Sequence, residues 1–303
     1  MDEHLFVDSH YLTLAQVEAF LFDTPYGHES VLASFTTEGK SAAEWIVETA
    51  HTYRINPLVF LVKLQVETSL IYASESSVLL DKAMGCGCLD YVACIRSNAG
   101  FVRQLDCAGS LFREYLDDLA NEGETRSEWA VGREKETLDG TLVVPSNRAT
   151  AALYTYTPWV LVGSGGNWLF WNVFQNYSRH LLKAFPNHRW IGGECVEHSD
   201  CGYDDGICME GSEETSFCTM SCDRVCPDSA ASHTAATFCA DLGTAMDGTP
   251  AGWCLSRCDE GLFPETGCAT GYHCVDTARF GESDVVRAVC WPGENPRHDS
   301  GIE

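Results

Sequence analysis

The sequence predicts a chain of two parts: a mainly α (α+β) domain with a small β-hairpin over residues 1–189, and a small, loop-rich, disulfide-stapled domain over residues 190–303. Three observations predict it. Twelve of the sixteen cysteines fall between Cys195 and Cys290. The net charge of −25 divides unevenly, since residues 1–189 carry 14 basic and 23 acidic side chains (−9) and residues 190–303 carry 5 and 21 (−16). Helix-starting signatures recur through the first part. A length of 303 residues also suits two domains at roughly 100–200 residues each. The segment Phe185-Pro186-Asn187-His188-Arg189-Trp190-Ile191-Gly192-Gly193 has the Pro/Gly character of a linker between them.

In the first part, Thr13 and Gln16 form a capping box ahead of an amphipathic stretch with Leu14, Val17, Phe20 and Leu21 on one face. Ser41 and Glu44 form a second, opening a helix to about Tyr53. Asn56 then supplies an N-cap and Pro57 the first helical position, after which residues 57–72, PLVFLVKLQVETSLIY, are apolar on almost every side. A helix hydrophobic nearly all round packs at the centre of a domain. Further helices are expected over residues 100–120, over 147–156, and from an Asn167 cap to about Phe185. The turn signal Asp139-Gly140, flanked by Trp129–Val131 and Thr141–Val144, predicts a short hairpin.

In the second part, twelve cysteines in 96 residues exceed the roughly 8–10 % that marks a disulfide scaffold. Zinc is the rival, but this part has no CxxC pair, and its close spacings are CxxxC at Cys218/Cys222, Cys222/Cys226 and Cys254/Cys258. Disulfides persist in oxidising compartments, so a secreted or periplasmic location is expected. Met1-Asp2-Glu3-His4 has neither the basic nor the apolar region of a signal peptide, which reads as a mature form with its signal removed and Met1 added. Cys208, Cys218, Cys222 and Cys226, followed by Cys239, Cys254, Cys258 and Cys268, repeat one pattern and predict two small stapled modules. His198, His233 and His273 have no regular spacing and read as surface residues. Asp200 with Asp204-Asp205 lacks the EF-hand spacing and reads as a solvated acidic loop. No metal and no cofactor are expected.

Charge and hydropathy exclude two partners. There is no basic run, so phosphate-tracking nucleic-acid binding is excluded. No stretch approaches about 18 consecutive apolar residues, which excludes a membrane span.

The largest unexplained feature of the first part is a carboxylate, Glu67, late in the buried helix, where a charge is costly unless paired or exposed to a cleft. Glu67 lies either on a polar strip with its i,i+4 neighbour Lys63, a pair worth roughly 0.2–0.5 kcal/mol, or at a cleft as a general acid.

Ile55-Asn56-Pro57, then Leu64-Gln65-Val66-Glu67-Thr68-Ser69-Leu70, then Ala83-Met84-Gly85-Cys86-Gly87-Cys88, then Ala149-Thr150-Ala151-Ala152-Leu153-Tyr154-Thr155-Tyr156-Thr157-Pro158 follow one another along the chain. Together these segments resemble the lysozyme-like superfamily over roughly residues 10–185, most nearly bacterial secreted glucosaminidase-like and lytic-transglycosylase-like domains. Those domains place the catalytic glutamate at the end of a buried helix in an E-S-x-[FL] setting, follow it with a Gly-rich turn, and close the cleft with an A-x-Y-N segment. Thr68 stands for the serine and keeps its hydroxyl, Thr155 stands for the asparagine, and the turn lacks the usual Leu-Met-Gln. Its cysteines imply a turn pinned by disulfides, with Cys94 and Cys107 as partners.

The resemblance implies that Glu67 protonates the glycosidic oxygen of a β-1,4-linked aminosugar polymer, with the glycan strands of peptidoglycan the leading substrate. Tyr154 is the implied catalytic partner. Tyr156, Thr68, Ser69, Gly85 and Trp159 are the implied substrate contacts. Trp168 is a further aromatic, better read as core packing. Hydrolysis with a second carboxylate needs one about 5–5.5 Å away for retention or about 6.5–9.5 Å for inversion. Glu75, Asp81 and Asp90 follow Glu67 in the chain, and each by default is a solvated loop acid. Without one, substrate-assisted hydrolysis or an intramolecular transfer giving an anhydro-sugar remains. The expected activity is therefore a monomeric glycoside hydrolase, with a lytic transglycosylase and a non-catalytic wall- or surface-binding protein as alternatives. A net charge of −25 further suits a glycan bearing free amines, such as N-deacetylated peptidoglycan. A cysteine protease is excluded because no Cys/His arrangement stands out.

Overall fold

A computed structural model of the chain describes residues 1–74, 78–88, 96–185, 187–211, 216–229, 234–244, 250–258, 268 and 272–292. The chain divides into two compact units, Met1–His180 and Leu181–Glu303.

The first unit is built on helices α1 (Glu3–Phe6), α2 (Leu14–Phe22), α3 (Ala42–Tyr53), α4 (Pro57–Thr68), α5 (Phe101–Asn121), α6 (Arg148–Tyr156) and α7 (Gly166–Ala184), the last running into the second unit. Two short antiparallel ribbons join them: β1 (Thr36–Thr37) with β2 (Lys40–Ser41), and β3 (Lys135–Glu136) with β4 (Leu142–Val143). Both expected capping boxes are present, with Thr13 and Ser41 accepting from the N3 backbone and Gln16 and Glu44 reaching back. Asn56 caps α4 ahead of Pro57, and Asn147 caps α6.

Four expectations in this unit are corrected, the first being the Asn167 cap, since α7 begins at Gly166 and already includes Asn167. Leu14 is 37 % exposed, and the buried face of α2 is Gln16, Val17, Phe20 and Leu21. Gln16 can be buried because its side-chain oxygen accepts from the Thr13 N–H. Helix α4 stops at Thr68 instead of continuing to residue 72. Ser69 adopts the left-handed conformation (φ 57°), and the N–H groups of Ser69 and Leu70 close onto Gln65 and Leu64 in a Schellman-like end. Leu70 and Ile71 are nonetheless buried, which is why the apolar pattern outruns the helix. The hairpin turns at Asp139-Gly140 as expected, but its first strand is Lys135–Glu136, not Trp129–Val131. Trp129 is buried, so its apolar character reflects the core, not a strand.

The second unit is richer in strands than the loop-rich expectation. Strands β5 (Ile207–Glu210) and β6 (Ser216–Thr219) form a hairpin. Strands β7 (Ser221–Cys222), β8 (Thr237–Thr244), β9 (Pro250–Ser256), β10 (Tyr272–Arg279) and β11 (Glu282–Pro292) form an antiparallel sheet in the order β11-β10-β8-β9-β7. Phe217, Phe238, Ala240, Leu255, Val275 and Val289 make its apolar core. Six disulfides staple it: Cys195–Cys208, Cys201–Cys218, Cys222–Cys239, Cys226–Cys254, Cys258–Cys274 and Cys268–Cys290.

These pairings do not follow the repeat. Cys222–Cys239 and Cys226–Cys254 join the first set of four cysteines to the second, so the two sets are not separate modules. The expected linker is also absorbed. Asn187 is buried and accepts from Ala235 N, while Gly192 and Gly193 bond the backbone of Cys218. Asp200 is no solvated acid, because its carboxylate accepts from Val196 N and Glu197 N within a tight turn. Asp204 and Asp205 are exposed, as are His198 and His273, whereas His233 lies outside the described residues.

Among the described residues no helix is long and apolar enough to cross a membrane. The density of disulfides fits an oxidising compartment.

Candidate functional site

Glu67 lies in the last turn of α4, and four residues earlier on the same face lies Lys63. The two differ in exposure: the side chain of Lys63 is 2 % exposed and that of Glu67 is 24 % exposed. The pair is thus not on a solvent-facing polar strip. Its ammonium end is sealed, and only its carboxylate end reaches the surface.

Three groups surround the ammonium. Lys63 Nζ donates to Glu67 Oε1 and, at 3.1 Å, to Thr157 Oγ1. It also stands 4.2 Å from the ring centroid of Tyr156, within cation–π range. Tyr156 and Thr157 come from the end of α6, so Lys63 ties that end to α4. Tyr156 is itself fixed by stacking on Phe112 (4.7 Å) and by donating its hydroxyl to Met84 O at 2.8 Å. Burial, with the Glu67 charge in support, pushes the Tyr156 phenol well above its ordinary range, so it remains a donor.

The other oxygen of Glu67 faces the turn at residues 83–88. A Cβ built on Gly85 would lie 2.6 Å from Glu67 Oε2, and Gly85 also has φ 67°, so both space and conformation call for glycine there. The turn is braced from several sides. Thr68 Oγ1 lies 3.0 Å from both Leu64 O and Ala83 O. Gln104 on α5 accepts from Met84 N and Cys86 N, and donates to Cys86 O and Asn98 O. Cys86 is bonded to Cys107, one of the two expected partners of the turn; Cys88 is also disulfide-bonded, and Cys94 lies outside the described residues.

The sequence-derived candidates separate on this map. Glu67, Tyr156 and Gly85 come together. Thr68 is buried with its hydroxyl engaged, so it braces the turn instead of meeting a substrate. Ser69 is the exposed cap of α4. Tyr154 points elsewhere: its ring stacks on Trp129 (5.0 Å), and burial with the nearby Asp139 charge raises its phenol. Trp159 is 38 % exposed on a loop whose Val160 and Leu161 N–H groups bond the Asp139 carboxylate, and Trp168 is half-buried. Thr155 bonds Thr125 and Ala151 O. Of the proposed second carboxylates, Asp81 is exposed and Glu75 and Asp90 lie outside the described residues.

No protein-family model, curated protein or solved structure matches this chain.

The site's chemistry therefore rests on its own geometry. Glu67 Oε1 is occupied by Lys63, and Oε2 has no hydrogen-bond partner among the described residues. A partly exposed carboxyl group with one oxygen anchored and the other without a hydrogen-bond partner among the described residues can exchange a proton with a bound oxygen atom. Two grooves of the helical unit, one between α3 and α5 beside Trp45 and Tyr53 and one beside Tyr154 and Phe170, do not include Glu67.

Sequence reasoning missed three contributors: the sealing of Lys63, Thr157 as its second partner, and Gln104. A lone lysine inside PLVFLVKL and a glutamine on the apolar face Phe101/Leu105/Ala108 were the available signals.

Proposed function

We propose that the helical unit is an exported lysozyme-like glycoside hydrolase acting on β-1,4-linked aminosugar glycan, with peptidoglycan strands as substrate. The observation that carries this reading is Glu67 itself. It lies in the last turn of a helix buried from Pro57 to Leu64, with one oxygen held by Lys63 and the other set against a braced glycine turn. The likeness of the Glu67, Gly85 and Tyr154 segments to lysozyme-like domains supports it, although Tyr154 itself stacks on Trp129.

In the proposed reaction Glu67, having taken a proton on Oε2 from solvent, gives it to the glycosidic oxygen as the C1–O bond breaks. A second carboxylate has no assigned residue, so in this proposal the acetamido oxygen of the substrate bonds C1 as the leaving oxygen departs; water then displaces it from C1, losing a proton to the Glu67 carboxylate and restoring the acid and the N-acetyl group. On a partly deacetylated strand the cut therefore falls at a remaining acetylated sugar. The charge of −25 favours strands that carry some free amines.

One observation favours a second reading, in which the chain binds wall glycan without cleaving it: the Lys63–Glu67 pair is complete without any ligand. Clearing of purified wall by the wild type and by Glu67→Gln separates the two. The proposal expects clearing by the wild type alone, faster on partly deacetylated wall at low salt. Binding without clearing by either protein supports the second reading, and equal rates at low and high salt remove the charge argument.

A further inference from the structure

Lys63 is the one charged side chain in the run Pro57–Leu64, and every residue of that run is buried. Taking an ammonium and a carboxylate out of water costs solvation that their mutual attraction often fails to recover, and apolar residues of similar volume are commonly at least as stable in such places. Apolar residues at both 63 and 67 would avoid that cost, whereas a methionine at 63 alone would leave Glu67 without its cation. Stability alone therefore does not account for the pair here.

What the lysine does account for is the orientation of Glu67. Nζ reaches Oε1 from inside the helix packing, and it is itself held by Thr157 Oγ1 and the Tyr156 ring, both from the end of α6. The Gly85 turn closes against Oε2. The carboxyl group is thus located by one fixed cation on one oxygen and by backbone beside the other. Because the ammonium is sealed from water, it acts at short range on any charge that develops on the carboxyl group.

We propose that Lys63 is the positioning residue of the Glu67 site. By holding Oε1 it leaves Oε2 as the oxygen that exchanges a proton with substrate, and it stabilises the carboxylate that forms as that proton leaves. This rests on the reading of Glu67 as the catalytic group. Lys63 touches no substrate, and it acts through Glu67.

The test uses the full chain carrying Lys63→Met, Lys63→Arg, Thr157→Val or Glu67→Gln, with kcat and KM measured on soluble peptidoglycan fragments and Tm measured beside them. Lys63→Met should lower kcat per folded enzyme about 100-fold, the scale of losing one preorganised charge partner, with KM within about twofold and Tm lowered because Glu67 is left without its cation. Lys63→Arg should recover part of kcat, since it restores a cation but not its exact reach. Thr157→Val should show a smaller fall in kcat with KM unchanged. A Lys63→Met protein that turns over like the wild type, while Glu67→Gln is inactive, overturns the role of Lys63 and leaves the proposed function standing. Loss of kcat matched by loss of folded protein in Lys63→Met, with Thr157→Val and Lys63→Arg unaffected, also overturns it. A wild type without turnover overturns both readings.

Discussion

Gln104→Leu should destabilise the helical unit by about 4 kcal/mol. Gln104 is fully buried, and its amide makes four backbone hydrogen bonds: from Met84 N (3.1 Å) and Cys86 N (3.0 Å), and to Cys86 O (2.7 Å) and Asn98 O (2.8 Å). Leucine has similar bulk and no polar atoms, so all four groups lose this partner. At a net worth of about 1 kcal/mol per bond the loss is about 4 kcal/mol, and each backbone group left stranded adds to it at about 1–3 kcal/mol unless water enters. The Cys86–Cys107 bond keeps the turn near α5, so the variant should remain folded. Urea unfolding followed by tryptophan fluorescence measures the effect, because five of the eight tryptophans (Trp45, Trp129, Trp159, Trp168 and Trp171) belong to this unit. A loss below about 1 kcal/mol with an unchanged m-value would refute the idea that this amide network holds the turn.

Gly85→Ala should cost about 1–3 kcal/mol from the left-handed backbone alone, and its Cβ should displace the Glu67 carboxylate, so glycan turnover should fall further than folded protein does. The Asp139 carboxyl is held down to about 2, first by the Thr137 hydroxyl and then by the Leu161 and Val160 amides. A depressed carboxyl stabilises the fold above its unfolded value near 4 and loses that contribution as pH falls toward 2. Protection of the Val160 and Leu161 N–H groups, taken relative to their intrinsic exchange rates at each pH, should accordingly fall over that window in the wild type and be low throughout in Asp139→Ala. Replacing Cys226 and Cys254 together by serine should lower the stability of the second unit by about 2–5 kcal/mol, read as a fall in its Tm, with the first unit unchanged; an unaltered Tm would count against the staple.

Helix starts were legible in the sequence because caps are local. Thr13, Ser41, Asn56 and Asn147 each bond within a few residues of themselves, so three or four letters carry the signal. The end of α4 was hidden because Leu70 and Ile71 stay buried after the helix stops, and burial alone does not report backbone direction. The sheet of the second unit was masked by cysteine density. Cys208/Cys218, Cys239/Cys254 and Cys274/Cys290 face one another across strands yet bond elsewhere, so spacing did not reveal pairing.

At the site, Glu67 was conspicuous as a charge in an apolar helix, and periodicity placed Lys63 on its face. Whether that face met water or protein depended on the end of α6, more than ninety positions away in the chain. The same distance hid the difference between Tyr154 and Tyr156. Two residues along a helix turn the side chain by about 200°, and only the docking of α6 decides which tyrosine meets Lys63 and which meets Trp129.

The most direct test is digestion of purified peptidoglycan in heavy-oxygen water by the wild type and by Glu67→Gln, with the products weighed. Soluble fragments are expected from the wild type, each carrying one heavy oxygen at a new reducing end, and none from Glu67→Gln at equal folded concentration. Fragments lighter by one water would replace hydrolysis by intramolecular transfer at the same glutamate. Equal release by Glu67→Gln, or no release by the wild type, would contradict the claim that Glu67 cleaves glycan.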